Sequence, residues 1–249
     1  MHVTAIVPAA GGGTRFGGPV PKQYLPLHGV PLLAQTLRAL LASGVVDCLV
    51  VLVAPGEEAR CRAEVLIPHG LSADRVVAGG ADRQASVCAG LQAAPEATDL
   101  ILVHDGARPL ITPDLIRAVV GLAAAEGAAV VAVPVTDTIK LADEGLTIVE
   151  TPPRSRLWAA QTPQVFRADW LRAAHIRALA DGFRGTDDSV LVERLGYPVR
   201  LIRGTSENFK VTTSADLARA ERVLRDRLTR GGLGGWEFRI AECGLRNGE

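Results

Sequence analysis

Four short runs dominate what this 249-residue chain can fold into: VTAIVP (3–8), VVDCLVVLVA (45–54), LILV (100–103) and AAVVAV (128–133). Each is of strand length and apolar on both alternations, so each reads as a strand buried on two faces. Helical stripes separate them. Residues 31–43 carry Leu32, Leu33, Thr36, Leu37, Leu40 and Leu41, with Pro31 at the first helical position and Gly44 as terminator. Further helices are expected over 57–66, over 83–94, and over 113–126 behind an N-capping Thr112. A short strand, 75–78, stands between the first two. This alternation predicts right-handed βαβ units in an α/β, Rossmann-like doubly wound sheet, mostly parallel, with helices on both faces. The 48% apolar and 4% aromatic composition suits such a fold.

Ligands of doubly wound sheets lie at the carboxyl edge. Three segments fall there: PAAGGGTRFGGPVPKQY after the first strand, GGADRQAS after the 75–78 strand, and HDGARP after LILV. The first combines small residues, which let backbone approach a ligand, with two cations, Arg15 and Lys22. That pattern reads as a polyphosphate site. It is not a dinucleotide fingerprint: Phe16 replaces the last glycine, prolines 19, 21 and 26 forbid an immediate helix, and no acid ends the second strand. Nor is it a Walker loop, because Gln23 follows Lys22 where Ser or Thr is needed.

Beyond residue 135 the rhythm changes. Two extended segments flank Asp143-Glu144-Gly145, which predicts a hairpin arm over 135–157 inserted in a domain spanning 1–229. So small an arm has little core of its own, and a partner subunit is the expected support. Helices follow over 168–180 and from Thr186 or Asp187 through Leu195, then a strand at 199–203, an extended stretch at 208–211, and a helix over 214–229 capped by Ser214. A glycine-rich tail, 230–249, closes the chain.

With 27 basic and 27 acidic residues, formal charge is zero, which argues against a nucleic-acid or anionic-membrane binder. The four cysteines form no C-x-x-C pair, so neither zinc nor a redox dithiol is expected, and a reduced, cytoplasmic setting is. No signal-peptide pattern opens the chain, and no apolar run is long enough to span a bilayer.

The first loop resembles the signature of sugar-nucleotide pyrophosphorylases. Its VPKQY ending is similar to one branch, the 2-C-methyl-D-erythritol 4-phosphate cytidylyltransferases of the non-mevalonate isoprenoid pathway. GGADRQASV, VHDGARP, PVTDTIK, RLWAAQTPQVF, GTDDS and ENFKVT continue the match in order over roughly residues 3–225. The resemblance implies CTP-dependent transfer of CMP to methylerythritol phosphate, with Mg²⁺ or another divalent cation and a homodimer built through the arm. It places Arg15, Lys22, Arg154 and Lys210 in catalysis. Ala9, Ala10, Gly11, Gly12, Gly13, Gly79, Gly80, Asp82, Ser86 and Ala107 surround the nucleotide. Asp105, Arg108, Thr138, Arg154, Thr162, Thr186 and Lys210 hold the acceptor, with Asp105 also the metal carboxylate. Arg154 comes from either subunit. Two alternatives stay open: another polyol phosphate as acceptor, such as ribitol 5-phosphate, and a non-catalytic nucleotide-binding regulator.

Overall fold

A computed structural model describes residues 1–11 and 20–230. Gly12, Gly13 and Arg15 of the first loop, and residues 231–249 of the glycine-rich tail, lie outside the described residues.

In chain order the strands are β1 (Val3–Pro8), β2 (Pro26–Leu27), β3 (Val30–Pro31), β4 (Cys48–Val53), β5 (Arg75–Ala78), β6 (Leu100–Val103), β7 (Ala128–Pro134), β8 (Leu141–Ala142), β9 (Ile148–Glu150), β10 (Trp158–Arg167) and β11 (Arg200–Arg203). The helices are α1 (Leu32–Ala42), α2 (Glu58–Cys61), α3 (Arg83–Ala93), α4 (Pro113–Glu126), α5 (Ala168–Ala180), α6 (Ser189–Glu193) and α7 (Ser214–Arg230). Seven strands form one sheet in the order β11-β7-β10-β6-β1-β4-β5. All neighbours are parallel except β10, which runs antiparallel to both β6 and β7.

Strand alternation sorts the core into two layers. Val3, Ala5 and Val7 of β1 face one side with Leu49, Val51 and Val53, against α1 and α4. Ile6 faces the other with Val50, Leu52 and Ile101, against α3, α5 and α6. Helices therefore cover both faces, as the apolar runs require. A third cluster, in which Leu27, Leu32, Leu110 and Val211 meet Ala220, seats α7 beside the carboxyl edge.

Local expectations were met unevenly. Gly44 ends α1 at φ +68°, and the Thr112 hydroxyl accepts from Leu115 N–H at the start of α4. Pro31 is the N-cap of α1, with ψ 136°, and not its first helical residue, because it still pairs in the β2–β3 ladder. The expected 57–66 helix keeps α geometry only over Glu58–Cys61 and then widens through Arg62–Leu66. Thr213, not Ser214, caps α7: its hydroxyl accepts from Asp216 N–H at 3.2 Å, and the Asp216 carboxylate accepts from Thr213 N–H at 2.9 Å. The 208–211 stretch joins no sheet.

The largest departure is β10, where no strand was expected. Between Ala160, paired with Ala132, and Gln164, paired with Val130, residues 161–163 stand opposite Val131 alone. This bulge contains Pro163, whose missing N–H is tolerated where the ladder is broken. There Thr162 meets His104 and Asp105 just past β6, while Gln161 donates to the Thr205 carbonyl just past β11.

Candidate active site

A cleft of about 270 Å³ opens at the carboxyl ends of β1, β5 and β6. Ala9, Ala10 and Gly11 form one wall, Gly80, Asp82, Arg83 and Ser86 a second, and Asp105 and Ala107 the floor, with Lys22 and Lys210 at its sides. The three expected edge segments do converge.

Glycine makes that convergence possible. A Cβ on Gly79 would sit 2.6 Å from Ala10 Cβ, and one on Gly106 would sit 3.0 Å from Leu33 and 3.1 Å from Ala9. Any larger residue would force the loops apart.

Asp82 begins α3 as its N-cap, accepting from Ala85 N–H at 2.8 Å, and its other oxygen pairs with Arg184 at 3.4 Å. The Ser86 hydroxyl donates to the Asp82 carbonyl at 2.8 Å and accepts from Gly80 N–H at 3.0 Å. Both residues shape the loop as well as lining the cleft.

Asp105 is the electrostatic centre. Arg83 Nε lies 3.3 Å from its Oδ1, and Lys210 Nζ lies 2.9 Å and Arg108 Nε 3.7 Å from its Oδ2. Burial alone would raise this carboxyl. Arg83, then Lys210 and Arg108, outweigh it and hold the group well below the usual carboxylate range. The Arg108 Nε is buried without an acceptor, so its attraction to Asp105 is coulombic and not a hydrogen bond. Arg83 continues outward, donating to buried Asp188 at 2.7 Å, which in turn meets His175 Nε2 at 3.3 Å. Three cations thus face two carboxylates, and Lys22 adds a fourth positive charge at the cleft.

Lys22 Nζ donates to the Val211 carbonyl at 3.1 Å, and Val211 N–H donates to the Ala107 carbonyl at 2.8 Å. Arg108 Nη1 donates to the Asn208 carbonyl at 2.8 Å. The segment carrying Lys210 is thereby strapped across the edge, and Arg227 of α7 locks it by pairing with Glu207 at 2.7 Å.

Other expected acceptor residues lie apart. Thr162 is buried behind Asp105 and does not line the cleft. Thr138 and Arg154 are exposed on the arm, where Arg154 Nη1 donates to the Thr136 carbonyl at 2.9 Å. Thr186 is exposed before α6 and is likewise absent from the cleft lining. Sequence reasoning passed over Asp188 and Asn208 as individual residues, although both stand inside motifs it marked. Neither type advertises itself, because an anchor inside a fold is polar for its neighbours and not for a ligand.

A doubly wound sheet with a cationic, glycine-walled cleft at its carboxyl edge defines a class of phosphate-handling transferase sites. Residues 3–226 match the family model for 2-C-methyl-D-erythritol 4-phosphate cytidylyltransferase. A relative of that name from Symbiobacterium thermophilum is 49% identical over 226 residues, covering 91% of this chain and 94% of its own. One from Geobacter metallireducens is 46% identical over 232 residues, covering 92% and 100%. Among solved structures, the cytidylyltransferase of that name from Thermus thermophilus superposes with a TM-score of 0.74 at 38% identity, over 90% of this chain and 100% of its own. The 4-diphosphocytidyl-2C-methyl-D-erythritol synthase of Anaerococcus prevotii superposes with a TM-score of 0.80 at 27% identity, over 90% and 98%. The chain belongs to the 2-C-methyl-D-erythritol 4-phosphate cytidylyltransferase family.

Proposed function

We propose that this protein transfers CMP from CTP to 2-C-methyl-D-erythritol 4-phosphate, releasing pyrophosphate and 4-diphosphocytidyl-2-C-methyl-D-erythritol. Family membership supports the substrates. The observation that carries the chemistry is the surplus of fixed positive charge around a narrow small-residue cleft.

The acceptor's phosphate is already anionic at neutral pH, so its oxygen attacks the α-phosphorus without a general base. Positioning two polyanions and stabilising the charge that builds on phosphorus are the remaining tasks. Lys22 neutralises the triphosphate beside the Ala9–Gly11 wall, together with Arg15, which belongs to the first loop. Gly79, Gly80 and Ser86 border the nucleoside. Lys210 and Arg108 meet the acceptor, with Asp105 holding both in place.

A divalent ion fits here only as a phosphate-held ion. Among the described residues no group of three or more His, Cys, Asp or Glu is placed to hold a metal. Asp105 stays ionised, and a carboxylate offers about four lone-pair sites against the three cations it meets. That suits Mg²⁺, which takes one or two carboxylates plus phosphate oxygens and water. When bound, it neutralises phosphate charge; Asp105 is the residue that would hold it.

The arm carries exposed Leu141, Leu146, Ile148 and Val149. Covering these against a second copy gives a homodimer in which Thr138 and Arg154 complete the partner's site. Among the described residues no helix is long and apolar enough to cross a membrane. The deciding experiment assays purified protein with CTP, Mg²⁺ and either methylerythritol 4-phosphate or ribitol 5-phosphate, reading pyrophosphate release with and without EDTA. Preference for ribitol 5-phosphate would overturn the acceptor, and full turnover in EDTA the metal.

A further inference from the structure

Behind the cation cluster runs a buried hydrogen-bond chain. The Arg108 carbonyl lies 3.2 Å from His104 Nε2. A carbonyl only accepts, so Nε2 carries the proton, and in a neutral ring Nδ1 is then an acceptor. Thr162 Oγ1 lies 3.0 Å from that Nδ1 and accepts from Asp105 N–H at 3.0 Å. The single hydroxyl proton of Thr162 is therefore spent on His104, and none remains for a phosphate oxygen, which can only accept.

We infer that Thr162 and His104 are positioning residues: together they pin the turn that presents Asp105 and Arg108, and Thr162 does not clamp the acceptor phosphate. The chain runs one way, from the Asp105 amide through Thr162 and His104 to the Arg108 carbonyl. Arg108 N–H closes the ring by donating to the Asp105 carbonyl at 3.0 Å. Asn208 Nδ2 donates to the Thr162 carbonyl at 2.9 Å, so both polar ends of Thr162 are held. Such chains polarise one another in a low-dielectric interior. Exposures of 0% for His104 and 4% for Thr162 keep solvent out.

The kinetic half of the test rests on the cytidylyl-transfer reading; the spectroscopic half does not. In the full-length protein labelled with ¹⁵N-histidine, His104 is expected as the Nε2–H tautomer. An Nδ1–H tautomer would free the Thr162 proton and overturn the inference. Thr162→Val is expected to lower kcat, by up to about a hundredfold for a misplaced site, with any rise in the acceptor KM secondary to it because Arg108 moves with the turn. Thr162→Ser, which keeps the hydroxyl, restores kcat. A raised acceptor KM at unchanged kcat in Thr162→Val would return Thr162 to the phosphate and refute the assignment. Should the valine variant not fold, the tautomer and the serine variant still decide. A wild type inert towards both polyol phosphates would sink the proposed function and leave the tautomer result standing.

Discussion

At the residue scale, the site works by fixed charge. Lys22 lines the cleft and is strapped to Val211, and under the proposed function its charge faces the triphosphate. Lys22→Ala should lower kcat by about a hundredfold to a thousandfold in steady-state kinetics, the usual cost of one preorganised donor. His104 adds a pH signature to stability. Its pKa falls from 6.5 to about 4 on burial, so the folded state favours the neutral ring. The unfolded chain takes up the proton first as pH drops. Stability is therefore complete above about 6.5 and is lost as pH falls towards 4, by roughly 3 kcal/mol from this group. Asp105 acts in the same direction but at lower pH. Its depressed pKa contributes stability above the ordinary carboxylate value and is lost only in stronger acid. Urea unfolding at pH 7, 5.5 and 4 should show the first loss, and His104→Asn should flatten it. The cations were readable in the sequence because Arg and Lys among glycines have few purposes. Asp188 and Asn208 were not, because their partners, Arg83 and Thr162, are 105 and 46 residues away.

At the scale of elements, β10 decides the geometry. Its Phe166 is fully buried between β6 and α5. Phe166→Ala should cost about 3–5 kcal/mol, read as a lower urea midpoint at unchanged slope. The strand escaped sequence reading because QTP reads as a turn, and a proline counts against a central strand until the bulge that excuses it is seen. Strands β1, β4, β6 and β7 were legible because burial on both faces leaves an unbroken apolar run. The 57–66 helix was half legible: its stripe continues where its backbone widens. The arm makes the other prediction at this scale. Its ladder has only two- and three-residue strands, and Leu146 is 86% exposed. Leu146→Asp with Ile148→Asp should shift a dimer towards monomer in sedimentation velocity and weaken acceptor turnover in parallel. A persistent dimer with full activity would remove the arm from the assembly.

On the scale of the whole molecule, formal charge is zero, while the cleft lining sets Lys22, Arg83 and Lys210 against Asp82 and Asp105. The order of the sheet has a further consequence, for synthesis. Strands β5, β4, β1 and β6 are complete once residue 103 has been made, and β7 by residue 134, yet they join only through β10, which ends at 167. A nascent chain therefore carries a four-stranded half-sheet whose β6 edge is fully apolar and waits some sixty residues for its cover, on the order of three to twelve seconds at ordinary elongation rates. Chains truncated before residue 158 should bind trigger-type holdases and precipitate when released from the ribosome, whereas chains extended past 167 should become protease-resistant over the first half. The antiparallel strand that shapes the catalytic edge is also the latch on which the timing of folding depends.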